Sequence, residues 1–185
     1  SKINESWIID RVRHEWYEHS KNISTKEIKN ADIIWIIAPW VWKKLPKNHL
    51  KSKKVICSYY HFDFDNFSLE EFEDLDQYVD EYHVISQKTE KDLSSLTQKK
   101  ITSIPFWINS NIFFNIENKV NLRNLFGFNK EHYLIGSFQR DTEGKDLLSP
   151  KLIKGPDIFL KLVKEYFRKN QNTKVVLSGK RRQYL

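Results

Sequence analysis

The residues best suited to chemistry in this chain are cations that follow two apolar runs in its last third. Tyr133–Phe138 (YLIGSF) leads directly to Gln139 and Arg140, and Lys174–Ser178 (KVVLS) leads to Gly179, Lys180, Arg181 and Arg182. Between them, Lys154 and Gly155 stand just ahead of Pro156, a residue favoured at the first position of a helix. A helix start offers unpaired backbone N–H groups and the positive end of the helix dipole. Arg140 and Lys154 converging on such an end would supply two cations and a set of amide donors, which is what binding a diphosphate needs. The same side chains could also be ordinary solvated surface cations.

A second set lies earlier in the chain. Trp40, His61, Ser86 and Trp107 each fall just past an apolar run, and His61 follows Tyr59 and Tyr60 directly. A histidine there can exchange a proton near neutrality or simply hold a hydrogen bond. His83, inside the run YHVIS, reads as structural, and Trp40 and Trp42 read as packing residues. Several chemistries are excluded. There is no Gly-x-Gly-x-x-Gly fingerprint, no phosphate loop ending in Gly-Lys-Ser/Thr, and no His-Glu-x-x-His pair or other ligand-spaced metal cluster. Cys57 sits within an apolar run and reads as an inert core residue.

These positions share an edge only if the runs are parallel strands, because open parallel sheets bind ligands beyond the carboxyl ends of their strands. The pattern supports that arrangement. Ala31–Ala38 (ADIIWIIA) and Lys54–Tyr60 (KVICSYY) are apolar on both faces, as strands buried in a parallel sheet would be. Tyr82–Ser86 and Lys100–Ile104 read as further strands, with a short helix over Gln87–Leu96 between them. Ile8, Ile9, Val12 and Trp16 give helical spacing from Glu5 to His19, and Ser68-Leu69-Glu70-Glu71 is a capping box that starts a helix running to about Val79. Pro156–Lys169 is amphipathic, with Phe159, Leu162, Val163, Tyr166 and Phe167 on the face expected to pack on its own sheet. Alternation of strand and helix predicts an α/β fold with parallel sheets.

The chain has 185 residues, a net charge of +7, 39% hydrophobic and 14% aromatic residues, one cysteine and no methionine. That composition supports a packed core and excludes disulfide frameworks. The lone cysteine and the absence of a signal-peptide pattern or apolar span fit a cytoplasmic setting. Residues 116–185 carry 15 basic and 7 acidic side chains, whereas residues 1–115 carry 16 and 17. The whole basic excess therefore lies in the last third. Nine acids and no Lys or Arg occupy Asp63–Glu81, which reads as a solvated acidic face. Asparagines crowd the stretch from Asn109 to Asn124, so we expect two domains, 1–115 and 116–185. The second holds a single strand–helix–strand unit and reads as incomplete. Together with the missing methionine, this suggests a piece of a longer protein.

Four segments resemble glycosyltransferases built from two facing Rossmann-like domains (the GT-B architecture), and in particular the retaining family 4 type. Ala31–Trp35 followed by Lys54–His61 is similar to late strands of the acceptor domain closed by a histidine. Asp80–Ser86 followed by a helix resembles the family's Asp…Ser strand, and Ile104–Phe114 resembles its Pro-Asn-Gly-Val-Asp…Phe hinge, with Ser110 and Asn111 departing from it. Tyr133 through Lys154-Gly155-Pro156-Asp157 looks like the opening of the nucleotide-sugar domain. The resemblance implies that Arg140, Lys154, Gly155 and Ser137 bind the donor diphosphate, with Gly179, Lys180 and Arg182 as further donor contacts. Lys145 or Arg182 could take the part of Arg140, which sits late relative to Gly136. It implies that His61 is the acceptor-side catalytic histidine and that neither cofactor nor metal is needed. A nucleotide-sugar donor, a carbohydrate or lipid-linked acceptor, and contact with the inner face of a membrane follow as expected partners. A piece of this kind need not be active alone. Two other readings of the same residues are a basic nucleic-acid-binding module, disfavoured because no strand carries an aromatic ladder, and a sugar-nucleotide epimerase of the same architecture.

Overall fold

A computed structural model of the chain describes residues 8–64, 66–143 and 147–185. The protein is α/β with parallel sheets, and it divides into two compact units at Asn109 and Ser110. The division falls at the start of the asparagine-rich stretch.

The first unit runs α1 (Ile8–His19), β1 (Ile33–Ile36), α2 (Lys47–Ser52), β2 (Lys54–Tyr59), α3 (Leu69–Asp76), β3 (Glu81–Val84), α4 (Gln87–Ser94) and β4 (Lys100–Ser103). Its strands lie in the order β1-β2-β3-β4, every pair parallel. The part of α1 expected before Ile8 lies outside the described residues. One face of the sheet carries the core: Ile34, Ile36, Val55, Cys57, Tyr59, Tyr82 and Val84 pack with Leu50 of α2, Phe72 and Leu75 of α3, and Leu93 of α4. The apolar runs predicted burial on both faces: β2 is buried on both, with Cys57 and Ser58 each 0% exposed, whereas β1 differs. Ile33 is exposed and Trp35 only half-buried. The side chains of β1 alternate between faces, and on the second face Trp35 packs edge-on against Trp16 of α1 at 5.0 Å between ring centroids.

The capping signal at Ser68 is half used. Ser68 Oγ accepts from Glu71 N at 3.2 Å, but the Glu71 carboxylate turns away to Lys43 Nζ at 2.5 Å. The other acids of that run are also less solvated than their composition suggests. Asp76 Oδ1 accepts from Tyr82 and from Thr97, at 2.8 and 3.0 Å, and Asp80 Oδ2 accepts from the Val55 amide at 2.7 Å. Glu81 lies between Lys54, Lys100 and Thr102, and the bond from Lys100 leads those that hold its pKa down to about 2. These acids join β3 and α3 to their neighbours.

The second unit contains α5 (Lys119–Leu125), β5 (Tyr133–Ser137), α6 (Pro156–Lys169) and β6 (Thr173–Leu177), with β5 and β6 parallel. Gly127, in the left-handed region at φ +74°, closes α5 where the sequence placed a stop. On α6, Pro156 is buried and Phe159, Leu160 and Val163 are half-buried, whereas Leu162 is 63% exposed and Ile158 60% exposed. The expected packing of Leu162 on its own sheet does not occur. Two strands about 4.8 Å apart give a surface only about as wide as one helix, so the flanks of the helix stay open.

Candidate functional site

The carboxyl ends of β5 and β6 lie side by side, with Ser137 opposite Leu177. Beyond β5, the Gln139 Nε2 donates to the Lys154 carbonyl at 2.6 Å. This bond ties the loop after β5 to the turn ahead of α6, so the segment carrying Arg140 and the segment carrying Lys154 and Gly155 meet at one helix start. Among the described residues no side-chain cap is made at that start, where the N-cap is Gly155, and its first backbone bond runs from Phe159 N to Gly155 O at 2.9 Å. Pro156 has no N–H, so the amides of Asp157 and Ile158 are the donors offered there. Asp157 adds a carboxylate in the first turn that any bound anion has to share the dipole with.

Gly155 has φ +62°, the left-handed region that L side chains enter only with strain. A Cβ there would come no closer than 3.8 Å to Ile158. Space is thus not the constraint, and Gly155→Ala is expected to lower stability through the backbone alone, by ~1–2 kcal/mol in urea unfolding.

Ser137 and Arg182 are drawn together, but toward each other. The Arg182 Nη2 donates to Ser137 Oγ at 2.7 Å, and its Nε lies 3.6 Å from Asp141 Oδ2. The side chains of Arg182 and Asp141 are 11% and 1% exposed. Arg182 Nη1 has no hydrogen-bond partner among the described residues. The backbone of Asp141 binds Arg181 O and Lys151 N, at 2.9 and 2.8 Å, so this acid is the knot of the whole edge. Sequence reasoning missed it, since an Asp beside Arg140 reads as ordinary surface charge. Gly179 lies in the turn after β6 at φ +94°, and Lys180 and Lys154 are exposed. Lys145 lies outside the described residues.

In the first unit, His61 is exposed immediately past β2. Around it the chain is aromatic: Phe62 stacks on Tyr59 at 4.9 Å, and Tyr60 on Phe106 at 5.1 Å. Ser86 caps α4 by accepting from Thr89 N at 3.2 Å. Trp42 is buried beside Tyr78, at 5.7 Å, and is a packing residue as expected, whereas Trp40 is exposed. His83 is structural as well. Its Nε2 lies 2.8 Å from the Ile104 carbonyl, an acceptor only, so this nitrogen carries the proton. Nδ1 is hydrogen-bonded with Ser58 Oγ at 2.8 Å, and Ser58 accepts from Trp35 Nε1 at 2.8 Å. Burial pushes the Cys57 thiol up, in keeping with an inert core position.

Glu15 of α1 gave no sequence signal beyond its place on a helix. It is 4% exposed, and it accepts from Trp107 Nε1 at 2.5 Å and Asn109 Nδ2 at 3.2 Å. The Trp107 bond holds its carboxyl below the ordinary value of 4.5; burial opposes this, and Asn109, Arg11 and His19 assist it. A depressed folded value means that the contribution is complete above 4.5 and is lost as pH falls through the folded value. The melting temperature of the native chain should therefore drop more steeply below pH 4.5 than that of Glu15→Gln, with parallel curves above it.

No protein-family model matches this chain, and no curated protein matches it in sequence. Among solved structures it is similar to Anabaena Alr3699/HepE in complex with UDP, at 11% identity and a TM-score of 0.49. The match covers 95% of this chain and 53% of that one, so the chain spans about half the length of the structure it matches. Among the described residues, no group of three or more His, Cys, Asp or Glu side chains is placed to hold a metal, and no helix is long and apolar enough to cross a membrane.

Proposed function

We propose that this chain is part of a glycosyltransferase with two Rossmann-like domains, which moves a sugar from a nucleotide-sugar donor to a carbohydrate or lipid-linked acceptor. Residues 116–185 belong to the donor side and residues 1–115 to the acceptor side. The observation that carries the reading is the bond from Gln139 to the Lys154 carbonyl, which gathers a basic loop, a lysine and an uncapped helix start in one place. Breaking a sugar–phosphate bond builds negative charge on the departing diphosphate, and donors fixed in advance stabilise that charge most effectively. Arg140, Lys154 and the amides beyond Gly155 take this role, and no metal is required for it. His61 takes the acceptor-side role that the family resemblance assigns to it. Reaction at the cytoplasmic face of a membrane completes the proposal.

Calorimetric titration of the chain with UDP, GDP and their sugar conjugates tests the reading, with uridine and guanosine as controls. Binding of the diphosphates but not the nucleosides is expected. Absence of any diphosphate binding at millimolar ligand overturns it. Incubation with a labelled sugar nucleotide then separates transfer, which yields a glycosylated acceptor, from epimerisation, which yields only a changed sugar nucleotide.

A further inference from the structure

The second unit also carries a cleft at the opposite edge of its sheet, at the amino ends of β5 and β6. It has a volume of about 650 Å³ and is lined by Tyr133, Tyr166, Lys169, Asn170, Gln171, Asn172 and Thr173. We propose that this cleft binds a neutral carbohydrate, independently of the diphosphate site and of the reading given to it.

Three observations support the proposal. The first is the aromatic wall: Tyr133 and Tyr166 pack together at 5.6 Å with a tilt of 32°, and Tyr133 is 60% exposed. An open tyrosine face offers a platform to the apolar side of a sugar ring, and its hydroxyl offers a polar handle. The second is the polar rim. Three successive amide side chains line it: Asn170 Nδ2 already donates to the Tyr166 carbonyl at 3.1 Å, while Gln171 and Asn172 can each donate and accept, which matches paired sugar hydroxyls that do the same. Their backbone is already fixed: Tyr133 N donates to Asn172 O at 3.1 Å, Thr173 N to Asn170 O at 3.1 Å, and Asn170 N to Tyr166 O at 3.0 Å. Such a rim needs little ordering on binding. The third is the floor. Thr173 is 1% exposed, and its hydroxyl has no hydrogen-bond partner among the described residues. A buried hydroxyl in that state favours a ligand or water that completes it.

Charge selects the ligand class. The lining contains one cation and no carboxylate, and it sits at the carbonyl end of α6, the negative pole of the helix. That pole disfavours phosphate and favours hydroxyl donors, so a neutral sugar fits better than a nucleotide even though a base could also stack on tyrosine.

The test uses the whole chain, labelled with 15N, titrated with malto-, cello- and chitohexaose and separately with UMP. Saturable shifts confined to residues of the cleft are expected with at least one saccharide. Tyr133→Ala should weaken that binding at least tenfold, and Gln171→Ala, at an exposed position, should weaken it severalfold. UDP affinity should be unchanged in both variants. No cleft shifts with any saccharide, binding that survives both substitutions, or cleft shifts with UMP alone would each overturn the proposal. None of these outcomes bears on the diphosphate site, because its own titration is read separately.

Discussion

Replacing Arg182 by methionine is expected to destabilise the second unit by about 3–5 kcal/mol, because it leaves the Asp141 carboxylate buried without its cation. The side chain of Asp141 is 1% exposed, and among the described residues its Oδ2 accepts no hydrogen bond, while its Oδ1 has a long one from Tyr184 N at 3.4 Å. Methionine retains much of the volume of arginine, so most of the loss is electrostatic. Pairing Arg182→Met with Asp141→Leu removes both charges, and buried pairs exchanged for apolar groups are often neutral in stability. The double variant should therefore recover most of the loss, and urea unfolding of the four chains gives the coupling directly. A single variant within about 1 kcal/mol of the native chain would show that the pair is solvated after all.

The second large effect concerns ligand affinity. Removing one charge-assisted hydrogen bond costs about 1.5–3 kcal/mol, or roughly 10- to 150-fold in a dissociation constant. On the proposed site, Arg140→Ala and Lys154→Ala should each weaken UDP binding by that factor, and the pair together by less than the product, since the proposal has both serve one diphosphate. Uridine affinity should remain as it was. Lys154 is exposed, so its replacement leaves the fold intact and a loss of affinity can be assigned to the contact. A double variant with native UDP affinity would remove both residues from the site. Gly155→Ala, whose effect is local to the backbone, offers a third reading of the same helix start.

The elements of this protein were legible in its sequence because strand and helix periods differ and the chain keeps them distinct. Both sheets, the helix after Ser86 and the helix stop at Gly127 follow from local pattern. What was not legible depends on partners distant in sequence. Helix α2 (Lys47–Ser52) has too short an apolar pattern to announce itself, with Leu50 its buried residue in the core. The acids from Asp76 to Glu81 looked like a solvated face because Lys54, Lys99 and Lys100, which they meet, belong to other strands and loops. Glu15 and Asp141 were missed for the same reason. Each is one ordinary acid in sequence, and each becomes particular only once burial and a distant donor are known.

The order of the first sheet carries a further consequence, for folding. Each strand pairs with the one made just before it, so β2 can dock on β1, β3 on β2 and β4 on β3 without waiting for later chain. As a rule, then, each pairing waits only for its own crossover to close, which in a parallel sheet is slower than closing a hairpin. The bond from Trp107 to Glu15 spans 92 positions and breaks that rule. It cannot form until all four strands have been made, and so it belongs to the last stage of assembly. Substitutions at Glu15 should then speed unfolding and leave the refolding rate of the unit nearly unchanged.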